Sequence, residues 1–263
     1  GTISRSRLSV DVLADLNQTI PDNSITLAKL APEVTSKLEQ NATHGIKEFI
    51  NGQTFSVSGN WTVPGKVKSL YVEIWGGGGG GGRSNNNEDS EGAGGGGSGG
   101  YVRAFLSVTP GEVLTMTRGN HGVKSNEDLG SGSDGNTTKI TSATRGDLVI
   151  ATGGTGGGVK LVEGNWDSSP GLGGTGTIIH GNGITRQGNP GDRDQWSNGN
   201  RRSWGLPGGE SIKGSISRTY SNYSSPATQY GHYGAGGRGA ARGNSYPSGT
   251  PQKGMGGYIY IQW

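Results

Sequence analysis

Glycine dominates this chain between Trp75 and Gly100, where the sequence reads WGGGGGGGRSNNNEDSEGAGGGGSGG, and it recurs in short runs almost to the C-terminus. Ordering a glycine costs roughly 0.5–1 kcal/mol more than ordering an alanine, because glycine loses the most backbone freedom. A chain with 55 glycines among 263 residues must therefore stay disordered or tie its backbone segments together. The extended helix with three residues per turn permits the second route, since its N–H and C=O groups all face neighbouring segments. The glycine runs predict such helices packed side by side.

Composition narrows the class of protein further. Hydrophobic residues make up only 29% of the chain, but six tryptophans and clear strand patterns beside the glycine runs indicate an ordered protein. The absence of cysteine excludes disulfides and cysteine-ligated metal sites. A formal net charge of +3 is too small to indicate a nucleic-acid partner, and no long apolar run predicts membrane insertion. We expect a protein without a cofactor, stabilised by its backbone network or by oligomerisation.

Residues 1–50 differ in kind from the rest and are predicted to form a trimerisation stem. Apolar residues recur here at spacings of three and four, as on one face of a helix. The residues assigned to the trimer contact are Leu27, Leu30, Val34 and Leu38. The helical or irregular pieces are too short to be stable alone in water, so the simplest partners for this stripe are copies of itself. An alternative is a helical cap packed on the chain's own globular domain.

Residues 51–263 predict a second domain, a mainly β, sandwich-like tip with extended glycine segments. From Phe55 onward, apolar and polar residues alternate with the period of a half-buried strand. Turn signals such as Pro64–Gly65 and Pro110–Gly111 separate the runs into candidate hairpins. The predicted pairs are 55–63 with 67–74, 101–108 with 112–119, and 136–141 with 147–154. Between 155 and 257 the best strand candidate is TGTIIHG, and the closing run 256–263 is predicted to complete the sheet begun at residue 55.

Several stretches of this domain resemble the glycine-rich domain of bacteriophage tail fibres. They are F-x-V-x-G-x-W-T-V-P-x-x-V-x-x-L-x-V-E-I-W-G-G-G-G-G-G from Phe55, G-G-Y-V-R from Gly99, V-T-P-G-E-V-L-T from Val108, and G-G-Y-I-Y-I-x-W at the C-terminus. The segment I-P-D-N-S-I-T-L-A-K-L-A-P-E-V at 20–34 resembles the segments that join trimeric fibre shafts to their distal domains. Related modules occur in fibre-like adhesins of predatory bacteria.

The resemblance implies a homotrimeric fibre whose tip binds a surface polymer of a host or prey bacterium. It also implies that the glycine tracts stack as polyglycine helices, as in some T-even phage tip adhesins. The expected location is a virion tail fibre or an extracellular fibre on the surface of a bacterium.

Aromatic and basic side chains concentrate between residues 180 and 246, where little core is available to bury them. Flat amphipathic rings give large contact areas at low entropic cost and stack on sugar faces, while arginine forks bind phosphates and acidic sugars. This combination fits lipopolysaccharide or another anionic surface polysaccharide. The residues predicted to bind glycan are Trp196, Arg201, Arg202, Trp204, Tyr220, Tyr223, Tyr230, His232 and Tyr233. An alternative is that the rings wedge between glycine helices and the arginines keep the tip soluble.

A second candidate surface is the acidic loop 83–91 between two glycine runs. Asn120–His121 and Ser125–Asp128 are the segments that would join it on one distal surface. A solvated loop is the alternative.

No catalytic, cofactor or metal site is predicted, so the chain is not expected to be an enzyme. Matches to G-x-G-x-x-G are inevitable in a chain this rich in glycine, and none opens a helix after a strand. The four histidines lack metal-ligand spacing. Calcium at Asp192 and Asp194 remains an alternative, although no EF-hand loop follows them.

The sequence therefore favours a fibre-tip adhesin that binds glycan without cutting it. A polysaccharide depolymerase and a structural or assembly module of the fibre tip are the alternatives. An ice-binding glycine-helix protein is a further one, but it leaves the stem unexplained.

Overall fold

The computed structural model describes residues 51–83, 93–162, 165–192, 233–237, 239 and 251–263. The chain divides into two units between Glu48 and Phe49, and every described residue belongs to the second. The predicted stem, with Leu27, Leu30, Val34 and Leu38, lies outside the described residues. In this described portion, no helix has the length and apolar character needed to cross a membrane.

Regular structure in the described residues is entirely β, which confirms the predicted fold class. The strands are β1 (Gly52–Phe55), β2 (Gly59–Thr62), β3 (Ser69–Trp75), β4 (Tyr101–Ser107), β5 (Val113–Thr117), β6 (Thr138–Ser142), β7 (Gly146–Ala151), β8 (Gly158–Val162), β9 (Asn165–Ser169), β10 (Gly176–Ile178), β11 (Asn182–Arg186) and β12 (Tyr258–Gln262). Sheet A has the order β1-β12-β3-β4-β11, and sheet B has the order β10-β7-β6-β5-β2. Strands β8 and β9 form a separate antiparallel pair.

The two five-stranded sheets share one hydrophobic core and so form a sandwich. Along β3 the buried residues Leu70, Val72 and Ile74 alternate with partly exposed ones, as expected when one face of a strand is covered. The inward residues of both sheets belong to a single cluster, to which sheet B contributes Leu114 and Met116.

Strand pairing confirms some of the predicted hairpins and contradicts others. Strands β6 and β7 pair as predicted, and β12 lies between β1 and β3, so the C-terminal run completes the first sheet. The other two predicted hairpins are wrong, because β2 and β3 lie in different sheets, as do β4 and β5. Their connections, 63–68 and 108–112, cross from one sheet to the other and bond to each other through Val63 and Glu112.

Strands β8, β9 and β11 were not expected from the sequence, whereas β10 lies within TGTIIHG. In β11 all five residues are exposed, so this strand lacks the alternation of buried and exposed positions that sequence reading depends on.

The glycine-rich segments continue the strands beyond the sandwich as extended helices. We call them pg1 (76–83), pg2 (93–100), pg3 (119–125), pg4 (130–136), pg5 (152–157), pg6 (170–175), pg7 (188–191), pg8 (234–237 with 239) and pg9 (251–257). Strand β3 leads into pg1, and pg2 leads into β4; most of the other helices join a sheet strand in the same way.

Helix pg1 forms the axis of a hexagonal bundle. Its N–H groups donate in turn to pg2, pg4 and pg9 at 2.8–3.1 Å, and this cycle repeats every third residue, as an extended helix with three residues per turn requires. Its carbonyl groups accept from pg3, pg5 and pg8. In the described residues these neighbours also bond to one another around a closed ring, in the order pg2, pg5, pg4, pg3, pg9, pg8. Helices pg6 and pg7 pack outside the ring, against pg2.

Close approach explains why the axis contains only glycine up to Arg83. A Cβ atom at Gly78 would overlap the carbonyl of Ala235, and one at Gly79 would overlap the carbonyl of Thr155. Backbone atoms of a ring helix cannot swing aside as a flexible side chain can, so each position excludes every other residue type.

The bundle has a sandwich end and a distal end. Gly76 and Gly100 pair near the sheets, and Gly82 and Gly94 pair at the distal end. The described part begins at the opposite pole of the sandwich, where Asn51 and Trp263 exchange backbone hydrogen bonds of 2.9 and 3.1 Å. Asn51, the first described residue, therefore lies at the end of the sandwich away from the bundle.

Candidate functional site

Chain connections gather at the distal end of the bundle. Helices pg1 and pg2 run in opposite directions, as do pg3 and pg4, so each pair is joined there. The described residues on either side of 84–92 and of 240–250 lie there, as do the turn 126–129 and the start of the β8–β9 hairpin. Segments 84–92 and 240–250 lie outside the described residues, but the residues that flank them are held by the bundle. Several loops of different composition are thus anchored on one rigid base.

The described part of this surface is a turn held by Arg83. The guanidinium Nε lies 2.9 Å from Asp128 Oδ1, and Nη1 donates to the carbonyl of Asn126 at 3.1 Å. Within the turn, the Ser125 hydroxyl donates to the carbonyl of Glu127 at 3.0 Å. The ion pair is solvent-exposed, so it contributes about 0–1 kcal/mol and mainly fixes the geometry of the turn.

The predicted acidic surface is therefore only partly assembled. Ser125–Asp128 does lie beside Arg83, as expected. Asn120 does not, because its carbonyl lies against Gly77 near the sandwich end. Asn120–His121 lies within pg3, whereas Ser125–Asp128 lies at the end of that helix. The rise of the extended helix therefore separates the two segments along the bundle axis.

Tyr233 is the single member of the predicted glycan-binding set within the described residues. Its ring stacks on Tyr258 with centroids 4.1 Å apart and an interplanar angle of 24°, and the residue is 48% exposed. It lies at the sandwich end, because the next residue, Gly234, bonds to Gly99 and Gly256. Gly191 lies against Gly95, toward the distal end. The segment that carries most of the predicted rings is thus anchored at opposite ends of the bundle.

The other predicted glycan-binding residues lie outside the described part of the chain. They are Trp196, Arg201, Arg202, Trp204, Tyr220, Tyr223, Tyr230 and His232. Their assignment stays a prediction.

An aromatic cluster on the outer face of sheet A was not predicted as a site. Trp75 lies next to Tyr101 and Tyr258, with ring centroids 4.7 and 5.4 Å apart, and Tyr71 packs edge-on against Phe105 at 5.4 Å. The sequence does carry a signal for it, because in YIYIQW and SLYVEIW the rings alternate with the aliphatic residues that enter the core.

Glu73 lies among these rings and accepts a hydrogen bond of 2.5 Å from the Tyr71 hydroxyl. Burial, followed by the hydrogen bond to Glu73, raises the pKa of Tyr71 above its usual range. Burial and the nearby Glu73 charge raise the pKa of Tyr101 to about 12. Both phenols therefore stay neutral well above physiological pH, and the Tyr71 hydroxyl donates to Glu73.

Metal binding finds no support in the described residues, where no three histidine, aspartate or glutamate side chains come close enough to hold an ion. Of the acidic pair considered from the sequence, Asp192 is described and Asp194 lies outside the described residues.

Comparison with known proteins places the β domain in a family. A family model described as a glycine-rich domain matches residues 52–262, which is most of the chain. A search of curated proteins gives no match.

Proposed function

We propose that this chain, which belongs to the glycine-rich domain family, is the tip of a trimeric fibre that binds bacterial surface glycan without cutting it. Lipopolysaccharide or a similar anionic polysaccharide is the ligand, and attachment to a host or prey bacterium is the role. The fibre belongs to a virion tail or to the surface of a bacterium.

The observation that carries this proposal is the polarity of the domain. The described part begins at Asn51 at one pole, while loops are anchored at the opposite end of a stiff bundle. A scaffold that holds its backbone in place without side chains leaves the loops free to differ in composition. Binding residues are often carried on loops positioned by such a rigid scaffold.

The composition of a further segment, 192–232, which follows Gly191 toward the distal end, supports a glycan as ligand. Trp196 and Trp204 offer planar apolar faces for sugar rings, and Arg201 and Arg202 offer forked donors for phosphate or carboxylate groups. Three copies on one fibre would add avidity, so each site needs only modest affinity.

Binding is tested by pull-down of bacterial cells or purified lipopolysaccharide with the intact chain. We expect the double variant Trp196→Ala, Trp204→Ala to lose most binding, while Val123→Ala, which removes an exposed apolar side chain from the bundle, keeps it. Tyr233 is varied separately, because its stacking on Tyr258 gives it a packing role as well. Retention of binding by a folded double variant would remove both tryptophans from the site.

Assembly is tested by size-exclusion chromatography with light scattering. We expect the intact chain to be a trimer and the variant Leu30→Asp, Val34→Asp to be a monomer, because charges at an apolar trimer contact are costly to bury. A monomeric parent chain would contradict the trimerisation stem. It would not bear on glycan binding, which the pull-down tests separately.

Cleavage is tested by incubating the chain with candidate polysaccharides and assaying new reducing ends. The adhesin proposal expects none. Product formation would favour the depolymerase instead.

A further inference from the structure

The outer faces of the two sheets carry different kinds of side chain. Residues directly opposite each other on antiparallel strands point to the same side of a sheet, so the register shows which residues share a face. On sheet A the outward side chains are mostly rings and charged groups. On sheet B they are mostly short and polar, and they include Asn60, Thr62, Thr115, Thr117, Thr141 and Thr177. The core does not explain this difference, because both sheets already bury their inward residues in it.

Glu73 lies at the centre of the outer face of sheet A. The register places it opposite Tyr260 on β12 and opposite Arg103 on β4. In the next row Tyr71 lies opposite Phe105 and packs edge-on against its ring, and Phe105 is 51% exposed. Because the Tyr71 hydroxyl donates to Glu73, the carboxylate is held in a fixed orientation among the rings.

The two edge strands extend this face on either side. On one side, a Cβ atom at Gly52 would lie 2.6 Å from the Tyr260 hydroxyl, so glycine in β1 leaves room for that side chain to lie over the edge strand. On the other side, Arg186 on β11 lies opposite Tyr101 and is exposed. Arg186 is therefore a diagonal neighbour of Arg103, which is exposed as well. Two cationic side chains thus lie on the β4–β11 side of the carboxylate.

This combination of groups suits a sugar. The C–H groups of a sugar ring stack on a flat aromatic face, and its hydroxyls need a few polar partners at fixed positions. A carboxylate accepts at about four lone-pair sites on its two oxygens, and its hydrogen bonds are stronger than those of a neutral acceptor. Phe105 supplies the exposed ring, Glu73 the acceptor, and Arg103 a forked donor that fits phosphate or carboxylate groups.

The described end of the predicted glycan-binding segment lies against the same face. Tyr233 stacks on Tyr258, and Tyr258 lies opposite Trp75 in the row next to Glu73. A glycan held by that segment therefore has the outer face of sheet A beside it.

We propose that the outer face of sheet A is a second subsite for anionic polysaccharide, where one sugar ring stacks on Phe105 and its hydroxyls donate to Glu73. Arg103 and Arg186 bind the phosphate or carboxylate of the adjoining sugar, on the side away from the like charge of Glu73. The inference rests on the proposed function, and it adds a binding surface on a rigid sheet to the one carried on loops.

Calorimetric titration of the intact chain tests this subsite. The probe is the core oligosaccharide released by mild acid from lipopolysaccharide that the parent chain pulls down, used before and after chemical removal of its phosphates. Phe105→Leu keeps an apolar side chain without a ring, and Phe105→Tyr keeps the ring. Val113→Ala, on the outer face of sheet B at 40% exposure, is the matched control. Light scattering gives the mass of each variant.

We expect Phe105→Leu to weaken binding of both oligosaccharides about tenfold, while Phe105→Tyr and Val113→Ala keep the parent affinity. Glu73→Gln should weaken both by a similar factor, because a neutral amide forms weaker hydrogen bonds to sugar hydroxyls than a carboxylate does. The double variant Arg103→Gln, Arg186→Gln should lose about tenfold in affinity for the phosphorylated probe alone.

A folded Phe105→Leu variant with the parent affinity for both probes overturns the proposal. If Phe105→Leu does not fold, the arginine variant decides alone, because both of its changes lie at exposed positions. A lower mass with unchanged sugar affinity overturns the proposal too, since the face would then join copies of the chain.

The two glycan surfaces fail separately. Loss of binding in the Trp196→Ala, Trp204→Ala variant alone leaves the proposed function standing without this subsite. A parent chain that binds no lipopolysaccharide overturns both.

Discussion

The sandwich and the glycine bundle are consecutive parts of the same backbone, yet different groups hold them together. In the sandwich, side chains such as Leu70 and Ile259 from two sheets fill one apolar core. In the bundle, backbone N–H and C=O groups bond across every helix contact, and the few buried side chains are small, such as Ser98 and Ala235. A small apolar content is therefore enough for a large ordered domain when the backbone itself forms the second core.

The number of glycines per turn in a bundle helix increases with the number of helices that surround it. The axis pg1, surrounded on all sides in the described structure, reads G-G-G throughout its packed length. Helix pg5, which bonds to four neighbouring helices, reads T-G-G, whereas pg3 and pg7, which bond to fewer, read G-x-x. Contacts with neighbouring helices remove the room for Cβ atoms, so larger side chains lie mainly on directions that face solvent.

The largest expected effect comes from adding one methyl group to the axis of the glycine bundle. Gly78→Ala should destabilise the domain by more than about 4 kcal/mol, because the new Cβ meets the backbone of pg8 and the surrounding ring cannot yield. Denaturant unfolding measures the loss, and hydrogen exchange should show fast amides across 76–82 that are slow in the parent.

The matched control is Gly59→Ala in β2, where no atom lies within 4 Å of the added Cβ. It should be neutral or should stabilise the domain by up to about 1 kcal/mol, since alanine loses less backbone freedom than glycine. Equal effects of the two variants would mean that the bundle is not close-packed.

Removing side-chain volume should affect the sandwich far more than the bundle. Leu70→Ala should cost about 3 kcal/mol, because the residue is fully buried between the sheets and its loss leaves a cavity. Val123→Ala, on the bundle, should change the free energy of unfolding by less than about 0.5 kcal/mol, since that side chain is largely exposed. Comparable losses at both positions would show that side-chain packing supports the bundle too.

A charged contact stabilises the sandwich in a way that is absent from the described bundle interior. Arg145 donates to both carboxylate oxygens of Glu112 at 2.8 and 3.0 Å, and the Ser142 hydroxyl donates to Oε1 at 2.5 Å. Glu112→Gln should cost about 2 kcal/mol near neutral pH, as expected for hydrogen bonds to a charged group. Thermal unfolding measures it, with the exposed Glu127→Gln as control.

The same contact predicts a dependence on pH. Burial raises the pKa of Glu112, but hydrogen bonds from Ser142, the Thr109 backbone and Arg145 outweigh it and hold the pKa below the ordinary value of 4.5. Its contribution is therefore fully present above that value and is lost as pH falls through the lower pKa of the folded state. The gap in stability between parent and Glu112→Gln should narrow in acid. A gap that stays constant to low pH would contradict this assignment.

The smallest expected effect lies where the two regions meet. Tyr233→Leu should destabilise the domain by about 1 kcal/mol, because it removes a stacked ring pair at the sandwich end of the bundle and leaves both cores intact. If the variant instead loses glycan binding with unchanged stability, Tyr233 acts in recognition and not in packing.

The sequence by itself determined the class of fold and the use of glycine. Alternation in SLYVEIW and YIYIQW identified β3 and β12, and the seven glycines after Trp75 required backbone packing, because no other residue fits there. It also raised Ser125–Asp128 as a candidate neighbour of the 83–91 loop, with a solvated loop as the alternative, and the structure places that turn beside Arg83. For all of the residues predicted to bind glycan except Tyr233, the prediction still rests on the sequence alone.

Only the tertiary structure decided which segments are partners. The links through Pro64–Gly65 and Pro110–Gly111 resemble hairpin turns in sequence but cross between the sheets, because the strands on either side bury their apolar faces from opposite layers of one core. The pairing of glycine helices is still less visible in sequence. Every such helix presents the same groups at the same repeat, so its neighbours are chosen by the strands that lead into it.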